Sequence, residues 1–106
     1  MHKELLQRIP ARRLLAQVFD SGKIAACGLG VLEADYFGLF DLVTDPGARN
    51  KGYGGKLVLS MLRWAQENGA AYAYLQVLSS NAPARHLYVK LGFRDLYEYW
   101  YRNPKA

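Results

Sequence analysis

One passage, YFGLFDLVTDPGARNKGYGGKLVLSMLRWAQENGAAYAYLQVLS, restricts the folds open to this chain more than any other part of it. It begins with an extended run that stops at Asp45, Pro46 and Gly47, residues that suit a turn and not a continuing strand. From Gly54 to Asn68 the apolar residues Leu57, Val58, Met61, Leu62 and Ala65 recur at helical spacing, while Lys56, Arg63, Gln66 and Glu67 lie elsewhere on the wheel. Asn68 and Gly69 end that helix. AAYAYLQVLS then alternates Tyr72, Tyr74 and Gln76 against Ala73, Leu75 and Val77, the period of two that marks a strand. Strand, helix and strand in this order require a parallel pair with a crossover helix lying on the sheet.

The flanking segments extend that sheet. RRLLAQVFDSGKIAACGLGVLE reads as two strands around a turn at Asp20, Ser21 and Gly22, a hairpin. After the crossover, Asn81 is an N-cap candidate, Pro83 falls in a first helical turn, and Ala84, Leu87, Tyr88 and Leu91 form one helical stripe that Gly92 ends. FRDLYEYWYR alternates Tyr97, Tyr99 and Tyr101 against Leu96, Glu98 and Trp100, a closing strand. The expected fold is α/β (α+β), a mixed sheet in the order β-β-β-α-β-α-β with helices packed on it.

At 106 residues the chain forms a single domain over 1–106, and 51% apolar with 22% charged residues is a globular composition. Fourteen Lys and Arg against nine Asp and Glu give a net charge of +5, which favours an anionic partner. The basic residues are dispersed and form no run or nucleic-acid motif, so no nucleic-acid partner is expected. Cys27 is the only cysteine, and with His2 and His86 it offers no metal spacing, so no metal is expected. With no apolar run near the ~20 residues of a membrane span and no signal-like start, the expected location is cytoplasmic, without a membrane partner.

The stretch RNKGYGGKLV carries the chemistry. A strand-to-helix turn exposes the N–H groups of the first helical turn, and the macrodipole adds roughly half a positive charge there. Gly52 and Gly54 let the backbone approach an anion without Cβ obstruction, and Arg49, Lys51 and Lys56 add outer charge. A Walker loop fails, because Gly55 and Lys56 have Asn50 and Leu57 where that motif needs Gly and Ser or Thr. A dinucleotide fingerprint fails as well: its third glycine falls on Leu57 or, from Gly28, on Glu33. By itself the stretch is compatible with a phosphate cradle or with a solvated basic turn.

VTDPGARNKGYGGKLV, followed by LQVLSSNAPARHLYVKLGF, resembles the GNAT superfamily of acyl-CoA-dependent N-acetyltransferases. The family's acyl-CoA signature, Arg or Gln, two residues, Gly, one residue, Gly or Ala, is met by Arg49, Gly52 and Gly54. Its second signature is met by Asn81, Ala84, Leu87, Tyr88, Gly92 and Phe93. The resemblance implies a split between the strand ending near Thr44 and the strand at 75–78, with acyl-CoA lying in it. It implies that the backbone of Leu42, Val43 and Thr44 pairs with the pantetheine arm, and that Arg49, Asn50, Lys51, Gly52, Tyr53, Gly54 and Gly55 hold the pyrophosphate. Asn81 would touch the pantetheine side and Arg85 a nucleotide phosphate. The implied reaction is acetyl transfer from acetyl-CoA to a primary amine by direct attack through a tetrahedral intermediate, with a backbone N–H of the third strand facing the oxyanion. Tyr88 stands where the family's general acid stands, and a phenol of pKa about 10 can protonate a thiolate. From its stripe alone, Tyr88 reads as a packing residue with its hydroxyl satisfied.

The resemblance runs over about residues 12 to 101, and the family's usual N-terminal strand and two helices have no counterpart in MHKELLQRIPA. Leu5, Leu6 and Ile9 read there as the end of a shortened helix or as an apolar patch awaiting a partner. Three arrangements are compatible with this: the C-terminal part of a longer domain, a compact enzyme whose acceptor site a second subunit completes, or a non-catalytic acyl-CoA-binding or regulatory module. A homodimer through the terminal strand edge fits the second. The partners implied are acyl-CoA and an amine. Glu33, Asp35 and Asp41 are the carboxylates near the third strand, and none is singled out as a base.

Overall fold

The computed structural model describes residues 2–9, 12–49, 51–76, 82–96 and 99–102, and side chains within 12–49, 51–76 and 82–94. Its strands are β1 (His2–Ile9), β2 (Arg13–Asp20), β3 (Lys23–Glu33), β4 (Tyr36–Thr44), β5 (Tyr72–Gln76), β6 (Arg94–Leu96) and β7 (Tyr99–Arg102). The helices are α1 (Tyr53–Glu67) and α2 (Ala82–Lys90), with a single 3-10 turn at Pro46–Ala48. Among the described residues the strands form one seven-stranded sheet in the order β1-β2-β3-β4-β5-β7-β6. Only β4 and β5 pair in parallel; the other five pairings are antiparallel. The mixed sheet and the crossover through α1 are those the sequence predicts.

Two elements differ from the sequence reading. Residues 2–9 are a strand, paired with β2 from His2↔Asp20 to Ile9↔Arg13, and not a helix end or a loose apolar patch. Their few apolar residues are too interrupted by charge to show strand periodicity, and the tertiary edge of β2 decides the conformation. The closing run is two strands, β6 and β7, paired with each other, with β7 inserted between β5 and β6. Its alternation continues across the break, so a single long strand is the simpler pattern in sequence.

The β2–β3 hairpin turns through Ser21 (φ 54°) and Gly22 (φ 81°), two successive left-handed residues as a type I′ turn requires. On one face of the sheet Leu14, Ala16, Val18, Ala26, Leu32, Phe37, Leu39, Ala73 and Leu75 are buried against the α1 stripe Leu57, Val58, Met61, Leu62 and Ala65 and against Tyr88 and Phe93. Both helices therefore lie on the same side. Gly28 and Gly30 leave room on that face for side chains of β4: a Cβ on Gly28 would stand 2.6 Å from Leu42 Cδ2 and one on Gly30 2.4 Å from Phe37 Cζ, with Met61 of α1 3.3 Å and 3.4 Å away, respectively.

Both helices end in the same motif. In α1 the N–H of Gly69 donates to Gln66 and that of Ala70 to Ala65; in α2 the N–H of Gly92 donates to Val89 and that of Phe93 to Tyr88. Each glycine is left-handed, with φ 95°, which makes these Schellman caps. The apolar contact that accompanies such a cap joins Phe93 to Tyr88, their rings edge to face at 5.8 Å.

Candidate acyl-CoA site

Pairing between β4 and β5 runs from Tyr36↔Tyr72 to Leu39↔Leu75, while β4 continues to Thr44 alongside β3. The C-terminal half of β4 thus extends past the register pairs it forms with the described residues of β5. At the start of this half the register with β3 shifts, and Asp41 adopts φ 53°. This is a β-bulge, and one extra residue reverses the faces of the residues beyond it. Phe37 and Leu39 face the helices before the bulge; Leu42 and Thr44 face them after it, Leu42 beside Gly28 and Thr44 beside Gly54. Val43 points the other way and is 56% exposed.

Beyond Thr44 the chain is tied down before it enters α1. Asp45 N–H donates to the Ala25 carbonyl on β3, and the Asp45 carboxylate accepts from Gly47 N–H at 3.0 Å, capping the 3-10 turn. Arg49 leaves that turn extended and exposed, and Lys51 is exposed. Gly52, the residue before α1, has φ 82°, a conformation costly for a side-chain-bearing residue. The helix's first bond runs from Lys56 N–H to the Gly52 carbonyl, so the N–H groups of Tyr53, Gly54 and Gly55 make no helical bond. No acidic residue stands in that first turn to compete for them.

Three elements converge at Gly54 and Gly55. A Cβ on Gly54 would lie 3.4 Å from Thr44 Oγ1 and 3.7 Å from Leu87 Cδ2, and one on Gly55 3.3 Å from Leu87 Cδ1. The end of β4 and the middle of α2 therefore both come close to the first turn of α1. Tyr88, the residue after Leu87, is buried, and burial pushes its phenol pKa up. Arg85 is exposed on α2. Asn50 and Asn81 lie outside the described residues.

Tyr53 has a further partner that sequence reasoning missed. Its hydroxyl donates to Asp20 Oδ2 at 2.6 Å, and Ser21 Oγ donates to Asp20 Oδ1 at 3.3 Å. The bond from Tyr53 is the main cause holding the Asp20 carboxyl below the usual carboxylate range, and the same bond raises the Tyr53 pKa. In sequence Asp20 reads only as a hairpin-turn residue, and nothing local points to a tyrosine so far along the chain. Of the three carboxylates near β4, Glu33 and Asp35 lie at the turn that begins the strand, whereas Asp41 lies at the bulge on the site half. Among the described residues no group of three or more His, Cys, Asp or Glu could hold a metal ion.

The fold is a mixed sheet with one parallel pair among the described residues, joined through a helix that starts after a left-handed glycine, and comparison gives the family. The model of the acetyltransferase (GNAT) family matches residues 2–93, and the chain belongs to that family. The match includes β1. The chain is 32% identical over 101 residues to an uncharacterized N-acetyltransferase of Bacillus subtilis, YobR, covering 95% of this chain and 41% of that protein. It is 33% identical over 84 residues to the ribosomal protein bS18 alanine N-acetyltransferase of Escherichia coli, covering 79% of this chain and 57% of that one. The crystal structure of that enzyme superposes with a TM-score of 0.78, covering 83% of this chain and 57% of its own. A GNAT-family structure from Desulfovibrio desulfuricans shares the fold at 10% identity, with a TM-score of 0.84 over 98% of this chain and 99% of that one. The chain thus spans about half the length of the curated relatives it matches.

The family implies an acyl-CoA at this site, and the residues present fit one. Its diphosphate needs several N–H donors, and the first turn of α1 presents its N-terminal end with no acidic residue in the turn itself, the nearby Asp20 carboxylate being engaged by the Tyr53 hydroxyl. Its pantetheine arm needs extended backbone to pair with, and residues 40–44 of β4 lie beyond the register pairs formed with the described residues of β5. Among the described residues no helix is long and apolar enough to cross a membrane.

Proposed function

We propose that the protein transfers an acetyl group from acetyl-CoA to a primary amine by direct attack of the amine nitrogen on the thioester carbon. The observation that carries this reading is the approach of Thr44 and Leu87 to Gly54, at the helix end whose first N–H groups make no helical bond. Bound acetyl-CoA supplies an activated acetyl thioester; the rest of the chemistry belongs to the chain. Leu42, Val43 and Thr44 offer backbone donors and acceptors at the end of β4, and one of these N–H groups faces the charge that develops on the carbonyl oxygen. Residues 49–55 hold the diphosphate through backbone N–H groups, with Arg49 and Lys51 adding charge, and Asn81 and Arg85 complete the binding surface from the α2 side.

Tyr88 is assigned the proton donor to the departing thiolate. Burial raises its pKa, so the phenol keeps its proton throughout the neutral range. The Schellman cap and the Phe93 ring fix its position at the end of α2. Incubation with acetyl-CoA and a panel of small amines and peptide N-termini, followed by release of the CoA thiol, tests the reading. Amine-dependent thiol release is expected. Binding of acetyl-CoA without release on any amine would contradict transfer while leaving the binding assignment standing.

A further inference from the structure

Among the described side chains, three carboxylates lie toward the end of the sheet where β4 runs into α1, and two of them are engaged by the protein itself. Asp20 accepts from the hydroxyls of Tyr53 and Ser21, and Asp45 accepts from Gly47 N–H. Asp41 is exposed, and among the described residues no hydrogen bond or ion pair engages its carboxylate. A carboxylate without an internal partner is common on a surface, so its place decides what it can do.

Asp41 stands in the bulge of β4. Register pairs flank it at Leu29↔Phe40 and Cys27↔Val43, so Gly28 alone faces Asp41 and Leu42, and it brings no side chain to the bulge. The Asp41 backbone is left-handed, with φ 53°. Glycine holds that conformation without steric cost, and aspartate tolerates it through a local hydrogen bond of its side chain, which is not formed among the described residues. The bulge backbone by itself therefore does not call for a carboxylate. On the reading proposed above, the diphosphate lies at the first turn of α1 and the pantetheine arm runs back along Thr44, Val43 and Leu42. The thioester end of that arm then comes to Asp41.

We propose that Asp41 recognises the acceptor: its carboxylate pairs with a primary alkylammonium beside the thioester, so that the substrate class is an amine cationic at neutral pH. This role rests on the acetyl-transfer reading and adds the acceptor to it. Charge favours such an occupant. A chain of net charge +5, with Arg49, Lys51 and Lys56 about the helix start, draws in an anionic cofactor and repels an ammonium. One carboxylate at the acyl end offsets that repulsion locally, and its bond to an ammonium is charge-assisted. An arylamine, uncharged at neutral pH, gains nothing from it. The bound ammonium passes one proton to water before its nitrogen attacks the thioester carbon, so Asp41 orients the acceptor and forms no bond to the acyl group.

Asp41→Asn tests this, because asparagine keeps the shape and tolerates the left-handed backbone while removing the charge. Butylamine, a tripeptide with a free N-terminus and aniline are each offered with saturating acetyl-CoA at neutral pH, and acetyl-CoA is titrated separately into both proteins by calorimetry. The wild type is expected to acetylate a cationic probe in preference to aniline. In Asp41→Asn the KM for that probe is expected to rise about tenfold, with kcat and acetyl-CoA affinity little changed. Asp41→Glu, which restores the charge, should recover part of the loss. An unchanged KM in Asp41→Asn, a fall in acetyl-CoA affinity in place of the KM effect, or a preference for aniline overturns the role of Asp41 and leaves acetyl transfer standing. Acetyl-CoA binding by the wild type without transfer to any probe overturns both, and absence of binding overturns the cofactor site with them.

Discussion

Tyr53, the first residue of α1, donates a 2.6 Å hydrogen bond to Asp20, the last residue of β2, across 33 positions of sequence. The bond joins the entry of the helix to the hairpin on the far side of β3. It ties the proposed diphosphate site to the end of β2. A charge-assisted bond of this length is stronger than a neutral one.

Tyr53→Phe removes the hydroxyl without altering the ring. Acetyl-CoA affinity is expected to fall several-fold with the fold intact, as titration calorimetry beside a circular dichroism spectrum will read. The pH dependence comes from Asp20, whose folded pKa lies below 3.8. Its contribution to stability is fully present above about pH 4 and is lost as pH falls through the lower folded value. A series of thermal melts between neutral and acid pH should show that acid-side loss in the wild type and less of it in Asp20→Asn. Identical profiles would count against the bond.

Gly52→Ala isolates backbone strain, because nothing lies within 4 Å of the added methyl while φ stays at 82°. A left-handed alanine costs about 1–2 kcal/mol. Denaturant unfolding should show that loss at unchanged slope, and a variant as stable as wild type would mean that the turn adopts another conformation.

Gly30→Ala isolates packing. Its methyl would meet the fully buried Phe37 ring at 2.4 Å, with Met61 Cε 3.4 Å away, so the core has to shift. A destabilisation of about 1–3 kcal/mol is expected by the same measurement. No change would show that the Phe37 ring does not lie over Gly30 as described.

Tyr88→Phe keeps the ring contact with Phe93 and removes the proton. If Tyr88 is the acid, turnover falls about a hundredfold or more with acetyl-CoA affinity little changed. In the wild type the alkaline limb set by this phenol lies above pH 10, since burial raises its pKa from the ordinary value. Stability linked to the same shift is present below about pH 10 and lost as pH rises through the folded value. A variant turning over at the wild-type rate would leave Tyr88 a packing residue of α2.

The features displayed in the sequence are periodic or local. The stripes of α1 and α2, the alternation of β5, the Ser21–Gly22 turn and the glycine ends of both helices each carry a repeating pattern or a special φ. The features concealed in it are decided across the sheet. His2–Ile9 is a strand through its pairing with β2. The bulge at Asp41, which turns Leu42 and Thr44 toward α1, shows in DLVT as nothing but a carboxylate among apolar residues. Asp20 finds Tyr53 only because the hairpin end and the helix start meet in space. The motif residues Gly92 and Phe93, by contrast, gain a physical reason: they build the cap that fixes Tyr88.

The central claim is that the end of β4 and the first turn of α1 together hold acyl-CoA. Isothermal titration of the wild type with acetyl-CoA, repeated with Gly54→Val, tests it most directly, because a valine there crowds Thr44, Leu87 and the helical N–H groups at once. Saturable binding of one acetyl-CoA per chain is predicted for the wild type, and its loss for a variant that remains folded. No heat and no thermal shift with millimolar acetyl-CoA, or equal binding by both proteins, would contradict it.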